Sequence, residues 1–315
     1  VPLSDVSHTG VLIDAGTVVV GTDDGTVTAV DLGGKQLWSQ DVGDHVLTPM
    51  AGSAGLLYVS VLPEQRADSA ALVALHLRDG TQAWRYAPAV PTPGLGVPSI
   101  GSDDPVGETI YVVDRSSVRA IGPDGTQRWA APTYSLTTGS PPAVGNDAVF
   151  VTDQTGTVYA FDRGTGSERW RFATNRTPGG SPIVTQTAVL QPAVDGTVSA
   201  ISIDAGHQIW HASISDNAVL GLAATTSLLV ATSTGTTPGI TGLVADQGGT
   251  TEDIVSPTTG EPRGLLLGWL AAAVPIAIVL LLLGRRVAAA PDPTLLGSIE
   301  DDAIDPWEDD LEGGP

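Results

Sequence analysis

Residues 160–170 read AFDRGTGSERW, and the order Ala, Gly, then Trp four residues after the Gly returns four more times. The copies are Ala29/Gly34/Trp38, Ala74/Gly80/Trp84, Ala120/Gly125/Trp129, Ala160/Gly166/Trp170 and Ala200/Gly206/Trp210. Five of the seven tryptophans thus hold one repeat position, spaced 46, 45, 41 and 40 residues apart. A period of about 40–45 residues predicts propeller blades rather than a solenoid of short coils.

Each copy parses into four short strands, A to D, by period-2 alternation and turn residues. In the fourth these are SPPAV (140–144), AVFVTD (148–153), TVYAFD (157–162) and ERWRFA (168–173). Thr155-Gly156, Asp24-Gly25 and Asp195-Gly196 supply the positive φ of tight B–C hairpins. The C–D turns carry Gly34, Gly80, Gly125, Gly166 and Gly206, a backbone requirement of the same kind. The Trp on strand D is expected to cover the gap between adjacent sheets, where an indole buries roughly 150–250 Å². The polar residue two before it (Gln36, Gln82, Gln127, Glu168, Gln208) is expected to share its face and to satisfy the indole N–H or a backbone group.

The run VFVTDQTGTVYAFDRGTGSERW (149–170) resembles the repeat of pyrroloquinoline quinone (PQQ) type β-propellers, with the tryptophan-docking motif A-x-D-x-x-T-G-x-x-x-W. The likeness extends over residues 8 to about 215. It implies an all-β ring of four-stranded antiparallel blades, six visible and up to eight possible. SLLVATS (227–233) and ITGLVAD (240–246) suit strands B and C of a sixth, degenerate unit whose Trp position falls near Ile254. Residues 1–6, VPLSDV, are expected to add a strand that closes the ring and removes its exposed edges. Among enzymes the resemblance points to quinoprotein dehydrogenases, which hold PQQ over an aromatic floor with calcium and a disulfide of adjacent cysteines. Here there is no Cys, no spare Trp obvious for a floor and no calcium ligand set that can be mapped, so no cofactor and no catalytic residue is expected. The non-enzymatic branch, typified by outer-membrane assembly lipoproteins, fits better.

Other chemistry finds no residues. Zero cysteines exclude disulfides and Cys-zinc sites, and the only close histidine pair, His207 and His211, is four apart on a strand, where side chains do not converge. Asp23-Asp24-Gly25 lacks a 12-residue calcium loop, and neither a nucleophile elbow nor a phosphate-binding loop occurs. A net charge of −21 with a single Lys repels phosphate backbones, so nucleic acid is not a partner.

Residues 264–284, GLLLGWLAAAVPIAIVLLLLG, hold no charge, and about 20 apolar residues in a helix match the bilayer core. They predict one transmembrane helix. Arg285 and Arg286 outweigh Arg263, which places the propeller outside and the tail in the cytoplasm. Val1 opens the chain without an initiator Met or a signal-like apolar run, so an export signal is expected outside it. The expected plan is a propeller over 1–257, a juxtamembrane linker over 258–263, the helix, and an acidic disordered tail over 285–315. In that tail Ile304, Trp307 and Leu311 form a candidate motif for a cytoplasmic partner.

Unit-to-unit differences locate the expected working surface. LPEQRADS (62–69) and TGTTPG (234–239) expand B–C turns, and APAVPTPGLG (87–96) expands a D–A link. In an antiparallel blade these connections share one face, and lengthened loops on rigid scaffolds commonly bind partners. Leu62, Pro63, Arg66 and Pro238 are the candidate contacts for an envelope protein. The expectation is a membrane-anchored, non-catalytic interaction scaffold of a bacterial envelope, with a quinoprotein dehydrogenase and a ligand-sensing receptor signalling through the tail as alternatives.

Overall fold

A computed structural model describes residues 2–244 apart from 8, 44, 64–68, 102–107, 137–138, 226–227 and 235–237. Arg66, residues 264–284 and the tail with Ile304, Trp307 and Leu311 lie outside the described residues. The chain divides into two compact units, Val1–Pro257 and Thr258–Pro315, and all described residues belong to the first. Among them no helix is long and apolar enough to cross a membrane.

The described residues are all-β. Blade 1 is β1 (Val11–Asp14), β2 (Thr17–Gly21), β3 (Thr26–Asp31) and β4 (Gln36–Asp41). Blade 2 is β5 (Ala51–Ser53), β6 (Leu56–Val61), β7 (Ala71–His76) and β8 (Gln82–Tyr86). Blade 3 is β9 (Ser99–Gly101), β10 (Thr109–Val113), β11 (Ser117–Ile121) and β12 (Gln127–Pro132). Blade 4 is β13 (Ala143–Val144), β14 (Ala148–Thr152), β15 (Thr157–Asp162) and β16 (Glu168–Ala173). Blade 5 is β17 (Ile183–Val184), β18 (Ala188–Pro192), β19 (Thr197–Ser202) and β20 (Gln208–Ser213). The sixth sheet shows β21 (Val219–Ala224), β22 (Leu228–Ser233) and β23 (Gly239–Val244). Every sheet is an antiparallel meander in chain order, and the innermost strands neighbour one another from β1 through β21.

The repeat residues have a common packing logic. On strand C the Ala pairs in register with a residue of strand B on one side and the Trp on the other, as Tyr58–Ala74–Trp84 and Phe150–Ala160–Trp170. A methyl group at the centre lets the two rings lean together, with centroids 5.8 Å apart for Tyr58/Trp84 and 5.7 Å for Phe150/Trp170. Each indole then lies on the Gly turn of the following blade. A Cβ on Gly80 would come within 2.5 Å of Trp38, one on Gly125 within 2.8 Å of Trp84, one on Gly166 within 2.6 Å of Trp129, and one on Gly206 within 2.5 Å of Trp170. These glycines therefore supply both positive φ and bare backbone under a ring.

Three details differ from the sequence reading. The indole N–H groups are taken by carbonyls of the next blade, Leu77 O (2.8 Å), Pro123 O (2.7 Å), Arg163 O (2.8 Å) and Ile203 O (2.6 Å), not by the polar residue two positions before. A bulge at the residue before each Trp breaks the period-2 alternation, so that polar side chain finds other company: Glu168 binds Arg171, and Gln208 binds His211. The B–C connections are four residues long rather than two, with Gly156 donating to Asp153 O at the end of the turn. And residues 2–6 form no strand: Asp23 N donates to Val6 O (2.9 Å) and Ser4 shares a hydrogen bond with Thr22, tying the segment to the B–C turn of blade 1 itself.

Candidate interaction face

The antiparallel meander puts A–B and C–D turns on one rim of the blades and B–C turns with D–A links on the other. On this second, loop rim the links are fastened by backbone. His45 pairs with Leu62, Leu136 with Asp153 and Pro178 with Ala193, in each case joining the link that leaves one blade to the residue just past strand B of the next. Within blades the fit is close: a Cβ on Gly156 would sit 1.9 Å from Arg176 O, and one on Gly196 would sit 1.7 Å from Ser215 O. The expanded link of blade 2 folds back on its own B–C turn, with Ala70 N donating to Thr92 O (2.8 Å).

The aspartates that dominate both rims are consumed by the turns. Asp153 Oδ1 accepts from Thr155 N, Thr155 Oγ1 and Thr157 N, each within 3.0 Å. Hydrogen bonds led by the Thr22 hydroxyl hold Asp24 down at about 2, and Arg169 leads those that hold Asp162 at about 2. Burial works against ionised Asp114, but Arg119 (2.8 Å) with Ser116 and Ser117 outweighs it and its pKa is lowered. These carboxylates are turn caps, and no group of three metal-ligating side chains occurs among the described residues. His211 Nδ1 is hydrogen-bonded to the Gln208 amide (2.9 Å).

What the loop rim leaves free is apolar. Val90 is 75% exposed and Tyr134 78%, both on D–A links, and Leu47, Val194 and Leu220 are also exposed there. Leu3 and Val6 join them beside the blade 1 turn. A cavity of about 470 Å³ opens among Gly139, Ser140, Gln154, Pro178, Gly180 and Leu220 on this rim. The Ser140 hydroxyl is buried without a hydrogen-bond partner. A second cavity, about 700 Å³, lies on the opposite rim between the A–B turns of blades 4 and 5.

Of the contacts expected from sequence, Pro238 is exposed and Pro63 half-buried, while Leu62 turns inward against the cluster containing Tyr58 and Leu95. Its place is taken by Val90 and Tyr134. Val90 sits inside the Pro-rich link already singled out; Tyr134 sits in a short link of ordinary length, where insertion gave no signal. Arg115, exposed in the B–C turn of blade 3, supplies a cation on the rim.

Comparison with known proteins follows the repeat. A family model described as outer membrane protein assembly factor BamB matches residues 3–140 and 114–263. BamB of Burkholderia pseudomallei is 28% identical over 58% of this chain and 46% of its own length. The serine/threonine-protein kinase AfsK of Streptomyces griseus is 31% identical over 54% of this chain and 22% of its own. BamB of Nitrosomonas eutropha is 26% identical over 64% and 40%. The chain thus spans less than half the length of the curated relatives it matches. Among solved structures, the computationally designed Ika8 protein superposes with TM-score 0.61 at 14% identity, covering 74% of this chain and 70% of that one. The quinohemoprotein alcohol dehydrogenase ADHIIG of Pseudomonas putida HK5 does so with 0.53 at 14%, covering 74% and 56%. At such identity the likeness concerns the fold.

Proposed function

The chain belongs to the family described as outer membrane protein assembly factor BamB, and from that premise we propose that it is a non-catalytic interaction scaffold of a bacterial envelope. The observation that carries this reading is the division of labour on the loop rim, where carboxylates cap turns and exposed side chains such as Val90 and Tyr134 are apolar. Apolar side chains on a backbone-fastened rim suit a protein partner, because rigid loops lose little entropy on binding. In this reading residues 264–284 anchor the propeller, which lies outside, and the acidic tail with Ile304, Trp307 and Leu311 meets a cytoplasmic partner. The shared name of the two BamB relatives supports an envelope partner concerned with outer-membrane protein assembly.

The test is site-specific photo-crosslinking in intact cells. A crosslinker at Val90 or Tyr134 gives discrete protein adducts, whereas one at Leu37 or Ile209, on the outer strands, gives none. Adducts only from the outer strands would sink the assignment. A second reading, a ligand-sensing receptor, draws on the likeness to a protein kinase and on the neutral cavity at Ser140. It requires a small molecule whose binding raises the melting temperature and is lost in Ser140→Leu.

A further inference from the structure

Four of the five repeat glycines lie beneath an indole, and the fifth does not. Gly34 has the same left-handed φ, +83°, yet among the described residues no atom comes within 4 Å of where its Cβ would be. The carbonyl that corresponds to Leu77 O and Pro123 O in the filled seats is that of Leu32, a residue 74% exposed, whereas Leu77 is 7% exposed. The bareness extends over the whole sheet face. Val11 and Ile13 are exposed, and Val18, Val20 and Val30 are half-buried. Leu57, Val59 and Leu75, which correspond to the last three in blade 2, are completely buried beneath blade 1. Blade 1 therefore presents an aliphatic sheet face, a bare glycine turn and an acceptor carbonyl in the arrangement that blades 2 to 5 fill with a neighbour.

These residues do not fill the seat from within the chain. Trp38, Trp84, Trp129 and Trp170 are already seated, and Trp210 packs against Leu222 and Leu229 of the sixth sheet. Trp269 belongs to the apolar run 264–284, and Trp307 to the acidic tail beyond it. The sixth sheet's docking position falls near Ile254, which has no N–H to give, and β21 to β23 leave Val11 and Ile13 exposed.

We propose that this face of blade 1 is a docking surface for a tryptophan-bearing blade of the same repeat type, supplied from outside these 315 residues. The four filled interfaces define the occupant: an outer strand that lays an indole on Gly34 and donates its N–H to Leu32 O, with aliphatic side chains over Val11, Ile13, Val18 and Val20. The surface continues the series of interblade contacts and is separate from the loop rim.

The absence of cysteine makes the test clean. Leu32→Cys is introduced into the full chain and its thiol labelling rate followed, with a cyclised hairpin of residues 157–173 as probe. Cys at 32 should label freely in the chain alone and at least about tenfold more slowly with the hairpin. A hairpin carrying Trp170→Ala should not protect it, nor should the intact hairpin protect a chain that also carries Gly34→Val. Circular dichroism that matches the parent keeps the Gly34→Val result interpretable, and Val18→Asp provides a second block that leaves the turn intact. The proposal is overturned if the hairpin fails to protect, or protects equally without its Trp. It is also overturned if the thiol is shielded in the chain alone and exposed by deleting 245–257, for then the sixth blade closes the ring.

Discussion

The two rims of the blades are made by the same hairpins, yet they dispose of their apolar residues in opposite ways. On the turn rim, indoles point into the neighbouring blade and end on glycine, so the large surfaces are hidden. On the loop rim, backbone bridges and Asx turns hold the chain, and Val90 and Tyr134 are left in solvent. The difference teaches that apolar side chains stay exposed where hydrogen bonds already secure the backbone, and are buried where side-chain packing joins the blades.

Substitutions can break that contrast. Trp170→Ala should destabilise the propeller by about 3–5 kcal/mol through lost burial and the cavity on Gly206, as read by denaturant unfolding. A loss below about 1 kcal/mol would mean that the indoles do not join the blades. On the loop rim, Gly196→Ala forces a methyl group onto Ser215 O as well as a left-handed alanine, so it should cost more than about 2 kcal/mol. Gly34→Ala shares the φ but meets open space and should cost about 1 kcal/mol. Equal costs at the two positions would remove the distinction between filled and empty turns.

Acid offers a gentler probe. Asp24 and Asp162 have folded pKa values of about 2, below the ordinary 3.8, so the stability they contribute is complete above that ordinary value and is lost as pH falls toward 2. The melting temperature should therefore decline between pH 4 and pH 2. Asp162→Asn should show a shallower decline than the parent, and an unchanged slope would show that these caps carry no linkage. The smallest effect belongs to the binding rim: Val90→Ser and Tyr134→Ser should each alter stability by no more than about 0.5 kcal/mol while weakening crosslinking there.

Much of the fold was legible because the Trp, Ala and Gly of each unit answer a single packing problem, and a residue type that solves a packing problem recurs at a fixed spacing. Strands B, C and D of blade 4 fall within a residue of their sequence reading for the same reason. The bulge before each Trp was not legible, since alternation written in one strand does not record where its partner skips a residue. That is why the indole N–H was assigned to the wrong neighbour. The candidate face was read from insertions, which reveal length and not orientation; Leu62 sits in an insertion but points inward, whereas Tyr134 gave no length signal at all. The bare face of blade 1 has the same letters as its buried counterparts, so only the coordinates distinguish them.

The bulge has a further consequence for the outer boundary of the molecule. Strand D is the unpaired edge of each sheet, a row of amides and carbonyls on which another strand could grow. One residue out of step before every Trp twists that edge, and charged side chains stand along it: Arg85 in blade 2, Arg128 in blade 3, and Glu168, Arg169 and Arg171 in blade 4. An incoming strand meets an interrupted ladder and must strip water from guanidinium groups. The periphery is thus guarded against edge-to-edge aggregation, which matters for a chain whose every blade ends in an open strand.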